Sequence, residues 1–177
     1  MLERRGADLA GLRRLAEQAV RSGGEIIAAH FGVPADFPRS KGPGDYVTAT
    51  DRASENAIRD ILQRGAPGIP IVAEEEGGEP APTYWCVDPL DGTRNFSIGM
   101  PVVAVSVALI VDGRPVVGSV GAPLLGLFFS AARGLGAWAG PNRLNVSSRP
   151  VNQAIVATGF PLRDRSLLPG YLPTLEA

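Results

Sequence analysis

Five acidic residues stand where a chain presents functional groups, at the end of a predicted strand or the start of a predicted helix. They are Asp51, Glu74, Glu75, Asp88 and Asp91. Glu74 and Asp88 each follow a short apolar segment, so their carboxylates meet at one sheet edge if the two strands are neighbours. Carboxylates placed this close repel one another unless cations lie among them. With one Cys and one His in the chain, the donors are oxygen atoms, which favours Mg²⁺ first and Mn²⁺ or Ca²⁺ behind it.

The segment Asp88-Pro89-Leu90-Asp91-Gly92-Thr93 strengthens this interpretation. Pro89 fixes its own φ, and the turn is predicted to direct both aspartates to one side and to leave the Leu90 carbonyl free as a ligand. Gly92 and Thr93 are then predicted to begin a helix whose unpaired N–H groups face the same place. A helix start beside metal ions is a phosphate-binding arrangement. The pattern therefore predicts a combined metal and phosphate site.

Each motif taken alone has a simpler explanation. Asp-Gly is a common turn dipeptide, and Asp112-Gly113, which lies between two apolar segments without a second acid before it, is assigned a turn and no chemistry. Glu74-Glu75-Glu76 alone is typical of a solvated loop, and Thr50-Asp51 alone of a helix cap. The combination of the three motifs is what predicts the site. Cys86 and His30 are interpreted as buried packing residues.

The elements that must position these residues follow from the spacing of apolar residues. One amphipathic helix is predicted from Leu9 to near Gly32-Val33-Pro34, and a second, capped by Thr50, from Asp51 to Gly65, with a loop over 33–44 between them that holds Lys41, the only lysine. Short strands are predicted at Ile69–Ala73, Thr83–Val87, Pro101–Val111, Pro115–Val120, Leu127–Ala131, Gly136–Trp138 and Leu144–Ser147. Helices followed by a run of strands predict an α+β fold, with the helices layered on a largely antiparallel sheet.

The pattern restarts near Pro150, with a strand predicted at Ala154–Ala157 and a helix from Leu167. We therefore divide the chain into an α+β metal- and phosphate-binding lobe, residues 1–150, and residues 151–177 as the start of a truncated α/β lobe.

The amino-acid composition limits the classes of molecule that the chain is expected to bind. The chain has 177 residues, 45% of them apolar, and 17 basic against 18 acidic residues, a net charge of −1. Such a balance disfavours nucleic acid and anionic membranes as partners and favours a small molecule. A single cysteine excludes an intrachain disulfide, and the longest apolar stretch falls short of the roughly 20 residues that span a bilayer. A cytoplasmic location is predicted.

Three ordered segments resemble the signatures of a known family. They are Asp45–Asp51 (DYVTATD), Ala73-Glu74-Glu75 and Trp85–Phe96 (WCVDPLDGTRNF), and they are similar to the N-terminal motifs of the inositol monophosphatase family of Mg²⁺-dependent, lithium-sensitive phosphatases. The similarity extends to Ser106–Leu109 and Ala157–Pro161, and so over nearly the whole chain. The resemblance implies a layered αβαβα fold, a homodimer, and hydrolysis of a phosphomonoester by a metal-activated water.

The resemblance also implies roles for individual residues. Metal ligands would be Glu74, Asp88, the Leu90 carbonyl and Asp91, with Glu75 at a further, weaker ion. Asp51 and Thr93 would orient the nucleophilic water, with Glu74 as a third catalytic residue. The N–H groups of Gly92 and Thr93 would hold phosphate oxygens, and Lys41 would help from a neighbouring loop. Inositol monophosphate or a similar sugar phosphate is the expected substrate.

Two alternatives stay open. The first is a fructose-1,6-bisphosphatase or a related nucleotide phosphatase, although Asn95-Phe96 favours the inositol and sugar branches. The second is a non-catalytic metal-binding or assembly module. It is favoured by the lack of the family's C-terminal Trp-Asp motif, since neither Trp85 nor Trp138 is followed by Asp. That lack predicts that the 177-residue chain alone has at most about a hundredth of the catalytic efficiency of a complete enzyme. Arg94, which stands where many members have Thr, is given no role.

Overall fold

The computed structural model describes residues 8–33, 39–42, 45–159 and 165–176, with the backbone alone at 39–42, 45–47 and 174–176. The helices are α1 (Leu9–His30), α2 (Ala49–Gly65), α3 (Thr93–Ser97) and α4 (Leu168–Glu176). The strands are β1 (Arg39–Gly42), β2 (Asp45–Val47), β3 (Ile71–Ala73), β4 (Thr83–Asp91), β5 (Ala104–Val111), β6 (Arg114–Ala122), β7 (Leu127–Ala132), β8 (Gly136–Ala139) and β9 (Asn142–Leu144). Among these described residues, no helix is both long enough and apolar enough to cross a bilayer.

Seven strands form one sheet in the order in which they follow along the chain, from β3 to β9. β3 and β4 are parallel, with Ala73 opposite Val87, and every other neighbouring pair is antiparallel. The hairpin between β5 and β6 turns at Asp112 and Gly113, whose φ angles of 49° and 72° fit the predicted type I′ turn. The predicted α+β architecture with a largely antiparallel sheet is confirmed.

The core lies between the sheet and the two long helices. α1 and α2 pack on each other, and both contact the sheet face on which Val105, Val107 and Leu109 of β5 are buried. The helices approach closely at Gly23, where an added Cβ would lie 2.7 Å from Ser54 Oγ. This close contact fixes α2 over β4, the strand that bears most of the candidate site.

The opposite face of the sheet is more open. Cys86 is exposed there, and Val120 and Phe129 are 41% and 40% exposed. Side chains alternate along a strand, so the burial of Trp85 and Val87 under the helices turns Cys86 to the other face. The prediction that Cys86 is buried was wrong for this reason.

The cap of α2, the loop before α2 and the position of His30 differ from the sequence-based expectations. The N-cap of α2 is Thr48 rather than Thr50, because Asp51 bonds back to Thr48 in a capping box. Strand β1 lies within the stretch predicted to be a loop and pairs with β2. His30 is exposed at the end of α1, with its Nδ1 atom 2.8 Å from the carbonyl oxygen of Ile26, so its predicted packing role was also wrong.

The last part of the chain departs furthest from expectation. The strand predicted at Ala154–Ala157 does not form; Ile155 and Val156 are 90% and 83% exposed, and no described strand pairs with them. The helix predicted from Leu167 is confirmed as α4, after one 3₁₀ turn at Arg165–Leu167. The division of the chain at residue 150 stays a prediction.

Candidate functional site

The start of α2 holds a buried carboxylate in a fixed orientation. Asp51 is 1% exposed, and its Oδ2 atom accepts hydrogen bonds from the backbone N–H of Thr48 at 2.9 Å and from the Thr48 hydroxyl at 2.6 Å. These bonds complete the capping box that starts the helix. Helix capping and the candidate catalytic role therefore use different oxygens of the same carboxylate, since Oδ1 remains for a partner from another element.

That partner is Thr93, the first residue of α3. Its hydroxyl lies 3.0 Å from Asp51 Oδ1 and 3.2 Å from the carbonyl oxygen of Leu90, and both atoms are acceptors for its proton. Thr93 and Asp51 are 42 residues apart in the chain, so the contact depends on the packing of α2 against the end of β4. The structure thus brings together the two residues predicted to orient a water.

A β-bulge shapes the end of β4. Asp88 is opposite Ser106 and Asp91 is opposite Ala104, so β4 holds one residue more than β5 over this interval. Side chains three residues apart on a regular strand point to opposite faces, and an inserted residue re-aims them. Pro89 is tolerated here because a bulge removes the need for its N–H group in the ladder. The segment predicted to be a turn is therefore the bulged end of a strand, and the charge of Asp91 acts on Asp88 across the bulge.

Glu74 lies beside Asp88 because β3 and β4 are parallel neighbours. The backbone N–H of Glu74 donates to the Val87 carbonyl oxygen at 3.2 Å, and the Glu74 and Asp88 side chains are hydrogen-bonded to each other. Burial, then the charge and hydrogen bond of Glu74, and then the charge of Asp91 raise the pKa of Asp88 from 3.8 to about 7, against the opposing bond from the Leu90 N–H. The charges of Glu74 and Asp91 thus act on Asp88, and like charges this close together favour the binding of a cation.

The turn after β3 is fixed at its base and at its tip. Ala73 and Gly77 exchange two backbone hydrogen bonds of 3.0 Å, which close the base. At the tip, the N–H groups of Glu75 and Glu76 donate to the carboxylate of Glu55 on α2, at 2.9 and 3.1 Å. Sequence reasoning did not identify Glu55, although Asp51 and Glu55 are four residues apart and so lie on one helix face.

A third contact from the same helix face reaches the bulge. The Ser54 hydroxyl, which is fully buried, donates to the carbonyl oxygen of Pro89 at 2.8 Å. The sequence held one signal for this contact: Ser54 lies on the same helix face as the apolar residues Ile58 and Leu62. A polar group buried on such a face needs a hydrogen-bond partner. Asp51, Ser54 and Glu55 therefore connect α2 to α3, to the bulge of β4 and to the acidic turn.

Gly92 occupies a conformation that its position requires. It is the N-cap of α3, with a φ of 96°, and an added Cβ would lie 3.0 Å from the carbonyl oxygen of Val102. Left-handed backbone of this kind is disfavoured for other residues. The tight turn places Thr93 directly after the acidic pair of Asp88 and Asp91.

The predicted site residues divide into those brought together and those that the structure leaves aside. Asp51, Thr93 and Leu90 form one set of contacts, while Glu74, Asp88 and Asp91 form a second, coupled set. Glu75 lies in the turn between β3 and β4. The backbone of Lys41 is in β1, and its side chain lies outside the described residues.

The donor set fits a hard divalent cation. Its atoms are carboxylate and carbonyl oxygens, and the Glu74 carboxyl group is close enough to Asp88 to raise the pKa of that carboxyl. Within the described part of the chain, no three His, Cys, Asp or Glu side chains stand close enough to form a preassembled metal cluster. Binding of a cation would therefore require a third ligand, such as the carboxylate of Asp91 or Glu75 or the Leu90 carbonyl, to join the pair.

Comparison with known proteins agrees with this geometry. The profile of the inositol monophosphatase family matches residues 8–173. The chain is 39% identical over 168 residues to the Nus factor SuhB of Haemophilus influenzae, covering 92% of this chain and 63% of that protein. It is 35% identical over 162 residues to the fructose-1,6-bisphosphatase/inositol-1-monophosphatase of Aquifex aeolicus, covering 89% and 61%. The chain thus spans about three fifths of the length of these relatives.

Solved structures give the same result for the fold. The extragenic suppressor protein SuhB of Bartonella henselae superposes with a TM-score of 0.73 at 35% identity, over 78% of this chain and 55% of that one. The inositol monophosphatase of Thermotoga maritima superposes with a TM-score of 0.68 at 34% identity, over 73% and 51%. The motifs, the layered arrangement around the bulged strand and these matches agree, and the chain belongs to the inositol monophosphatase family.

Proposed function

We propose that this chain carries the metal- and phosphate-binding part of a Mg²⁺-dependent phosphomonoesterase, with inositol monophosphate or a similar sugar phosphate as its substrate. The observation that carries the proposal is the 3.0 Å contact between the Thr93 hydroxyl and the buried Asp51. A protein that only held ions would not need a hydroxyl–carboxylate pair next to the acidic groups. The phosphatase names among the relatives support the same class of reaction.

The cation would be held by Glu74, Asp88, Asp91 and the Leu90 carbonyl, and Glu75 would hold a further, weaker ion. Mg²⁺ is the proposed cofactor and Mn²⁺ a substitute, since both prefer oxygen ligands. When bound, such an ion would polarise the phosphoryl oxygens and make a nearby water more acidic.

Thr93 and Asp51 would act on the attacking water. With its own proton donated to Asp51, the Thr93 oxygen can accept a hydrogen bond from a water and so orient it. Asp51 is itself held by Thr48, so the pair cannot rotate freely. Glu74, next to Asp88, would share in this step as the third catalytic residue.

The substrate phosphate would lie at the start of α3. The N–H groups of Gly92 and Thr93 would bind its oxygens, and Lys41, whose backbone lies in β1, is the third residue proposed to bind it. The proposal also includes a homodimer and a cytoplasmic location, and the near-neutral charge speaks against nucleic acid or membrane as partners.

Two competing functions are tied to the names of relatives. The Aquifex aeolicus relative is called both a fructose-1,6-bisphosphatase and an inositol-1-monophosphatase, which supports a bisphosphatase or a related nucleotide phosphatase as the second candidate. The Haemophilus influenzae relative is called a Nus factor, which keeps the non-catalytic assembly module as the third.

A calorimetric experiment tests the proposed class without knowledge of the substrate. The chain is titrated with Mg²⁺ or Mn²⁺ and then with inorganic phosphate, the product common to all candidate phosphatases. We expect phosphate to bind once the cation is present, and Asp88→Asn to weaken both events. Cation binding without phosphate binding would favour the non-catalytic module, and no cation binding would refute the proposal.

A second assay addresses the substrate. Mg²⁺-dependent release of phosphate is compared for inositol 1-phosphate, fructose 1,6-bisphosphate and a nucleotide 3′-phosphate. Preference for the inositol or a similar sugar monophosphate is expected, and preference for either of the others would select the second candidate.

A further inference from the structure

Glu55 is a charged side chain in an unusual place. It is fully buried, on the face of α2 that also buries Ile58 and Leu62. Charged side chains are rarely buried without partners, because their desolvation has to be offset by hydrogen bonds and opposite charge. What Glu55 contacts therefore indicates its role.

Its partners belong to the acidic turn between β3 and β4. Oε2 accepts a hydrogen bond from the Glu75 N–H at 2.9 Å, and Oε1 accepts one from the Glu76 N–H at 3.1 Å. Hydrogen bonds from N–H groups to a carboxylate are stronger than those between neutral groups. Two such bonds from successive N–H groups fix the orientation of the two peptide planes on either side of Glu75, one of which joins Glu75 to Glu74.

Arg59, one helical turn further along α2, supplies the opposite charge. Its Nη1 atom lies 3.6 Å from Glu55 Oε1, and its Nε atom lies 3.2 Å from Glu76 Oε2. The guanidinium thus connects Glu55 to the same turn by a second route. Glu55 and Arg59 together hold the tip of the turn, while the Ala73–Gly77 bonds hold its base.

We propose that Glu55 is a positioning residue that sets the acidic turn so that Glu74 and Glu75 can bind the cation. The proposal rests on the proposed function, because it takes those two residues to be ligands. Glu55 touches neither substrate nor cation in this account and acts through the backbone of the turn. Partners that orient metal ligands commonly change metal affinity by about 10- to 100-fold when they are mutated.

The test compares variants of the same helix face. Glu55→Gln keeps the shape but places an amide against two N–H donors, and Glu55→Asp keeps the charge but withdraws it by one methylene group. Ile58→Val is the matched control, since it weakens the core one turn away without touching the acidic turn. Mg²⁺ and Mn²⁺ affinities are measured by calorimetry, and exchange of the Glu75 and Glu76 amide hydrogens is measured by NMR.

We expect the Glu75 and Glu76 amides to be protected in the wild type and to exchange faster in both Glu55 variants, with β5 unchanged. Cation affinity should fall about tenfold in these variants and stay unchanged in Ile58→Val. Wild-type affinity in a folded Glu55 variant, unprotected amides in the wild type, or an equal loss in Ile58→Val would overturn the proposal. If Glu55→Gln does not fold, Glu55→Asp decides. If the wild type binds no cation, the proposed function fails, and the amide exchange still decides whether Glu55 holds the turn.

Discussion

Strands β4 and β5 each end at an Asp-Gly pair, and because the two strands are antiparallel, the pairs lie at opposite ends of the sheet. Asp91-Gly92 ends β4 near the start of β5, and Asp112-Gly113 joins β5 to β6 at the far end. Both aspartates are exposed, and both glycines have positive φ angles, of 96° and 72°. The dipeptide, the exposure of its aspartate and the positive φ of its glycine therefore do not separate a site from a turn; of the two aspartates, Asp112 has a positive φ of 49° and Asp91 is the last residue of β4.

The two Asp-Gly pairs differ in the residues that contact them and their neighbours. Asp91-Gly92 follows a bulge that brings in Asp88, and it precedes Thr93, which contacts the buried Asp51. At the other end, the N–H of Asp112 donates to the carbonyl oxygen of Pro82 at 2.7 Å, and the Cβ direction of Gly113 is open. A turn dipeptide takes on chemistry when buried polar groups from another element hold it, and the hairpin at Asp112 shows the same residues without that support.

The largest expected difference between the two ends is catalytic. Thr93→Ala removes the hydroxyl next to Asp51 and should lower kcat by about a hundredfold or more, the usual size for losing a group that handles a proton, with cation affinity little changed. Arg114→Ala, the residue that follows the other Asp-Gly pair, is the control and should leave kcat unchanged. An unaltered kcat in Thr93→Ala would mean that Thr93 begins α3 but takes no part in catalysis.

The two glycines should differ in their cost to stability. Gly92→Ala combines a left-handed φ with a Cβ 3.0 Å from the Val102 carbonyl oxygen, whereas Gly113→Ala meets no atom within 4 Å. We expect a loss of about 1 kcal/mol in the free energy of unfolding for Gly113→Ala and roughly 2 kcal/mol or more for Gly92→Ala. Denaturant unfolding of both variants measures this, and equal losses would show that the turn at Gly92 is no tighter than the hairpin.

Cation binding should release a proton from Asp88, at the end of β4, and none from Asp112 at the other end of the sheet. Because the pKa of Asp88 is raised to about 7, the cation-free folded chain binds more protons than the unfolded chain between pH 3.8 and about 7. The contribution of Asp88 to the free energy of unfolding therefore falls as the pH rises from 3.8 to about 7, and it is constant above that. A cation must displace the same proton, so its affinity should rise nearly tenfold per pH unit below 7 and level off above.

Calorimetry across this pH range, in buffers of different ionisation enthalpy, checks the prediction. Asp88→Asn should flatten the profile, and Asp112→Asn should leave it as in the wild type. A wild-type affinity that does not change with pH would mean that Asp88 is not the group displaced.

The sequence predicted those features of the fold that depend on local pattern. The period of α1, the type I′ turn at Asp112-Gly113 and the adjacency of Glu74 and Asp88 followed from residue types and spacing. Cys86 was misassigned because an apolar neighbourhood in a strand does not tell which face a residue occupies. The strand expected at Ala154–Ala157 needs a partner, which no local pattern can supply.

The sequence predicted the candidate ligands but not the residues that contact the backbone around them. Asp88, Asp91 and Thr93 belong to a compact motif, whereas Ser54 and Glu55 act on backbone groups 35 and 20 residues away in the chain. A hydrogen bond to a backbone carbonyl or N–H does not depend on the type of the partner residue, so the sequence does not reveal it. Only the packing of α2 over β4 reveals that these two side chains hold the bulge and the acidic turn.

The most direct test of the central claim compares one substitution at the two ends of the sheet. Mg²⁺ is titrated calorimetrically into the wild type, Asp91→Asn and Asp112→Asn under identical conditions. The account predicts that Asp91→Asn weakens cation binding at least about tenfold, because a charged ligand is lost, while Asp112→Asn binds as the wild type does. Equal affinities in all three proteins would contradict it and return Asp91-Gly92 to the status of an ordinary turn.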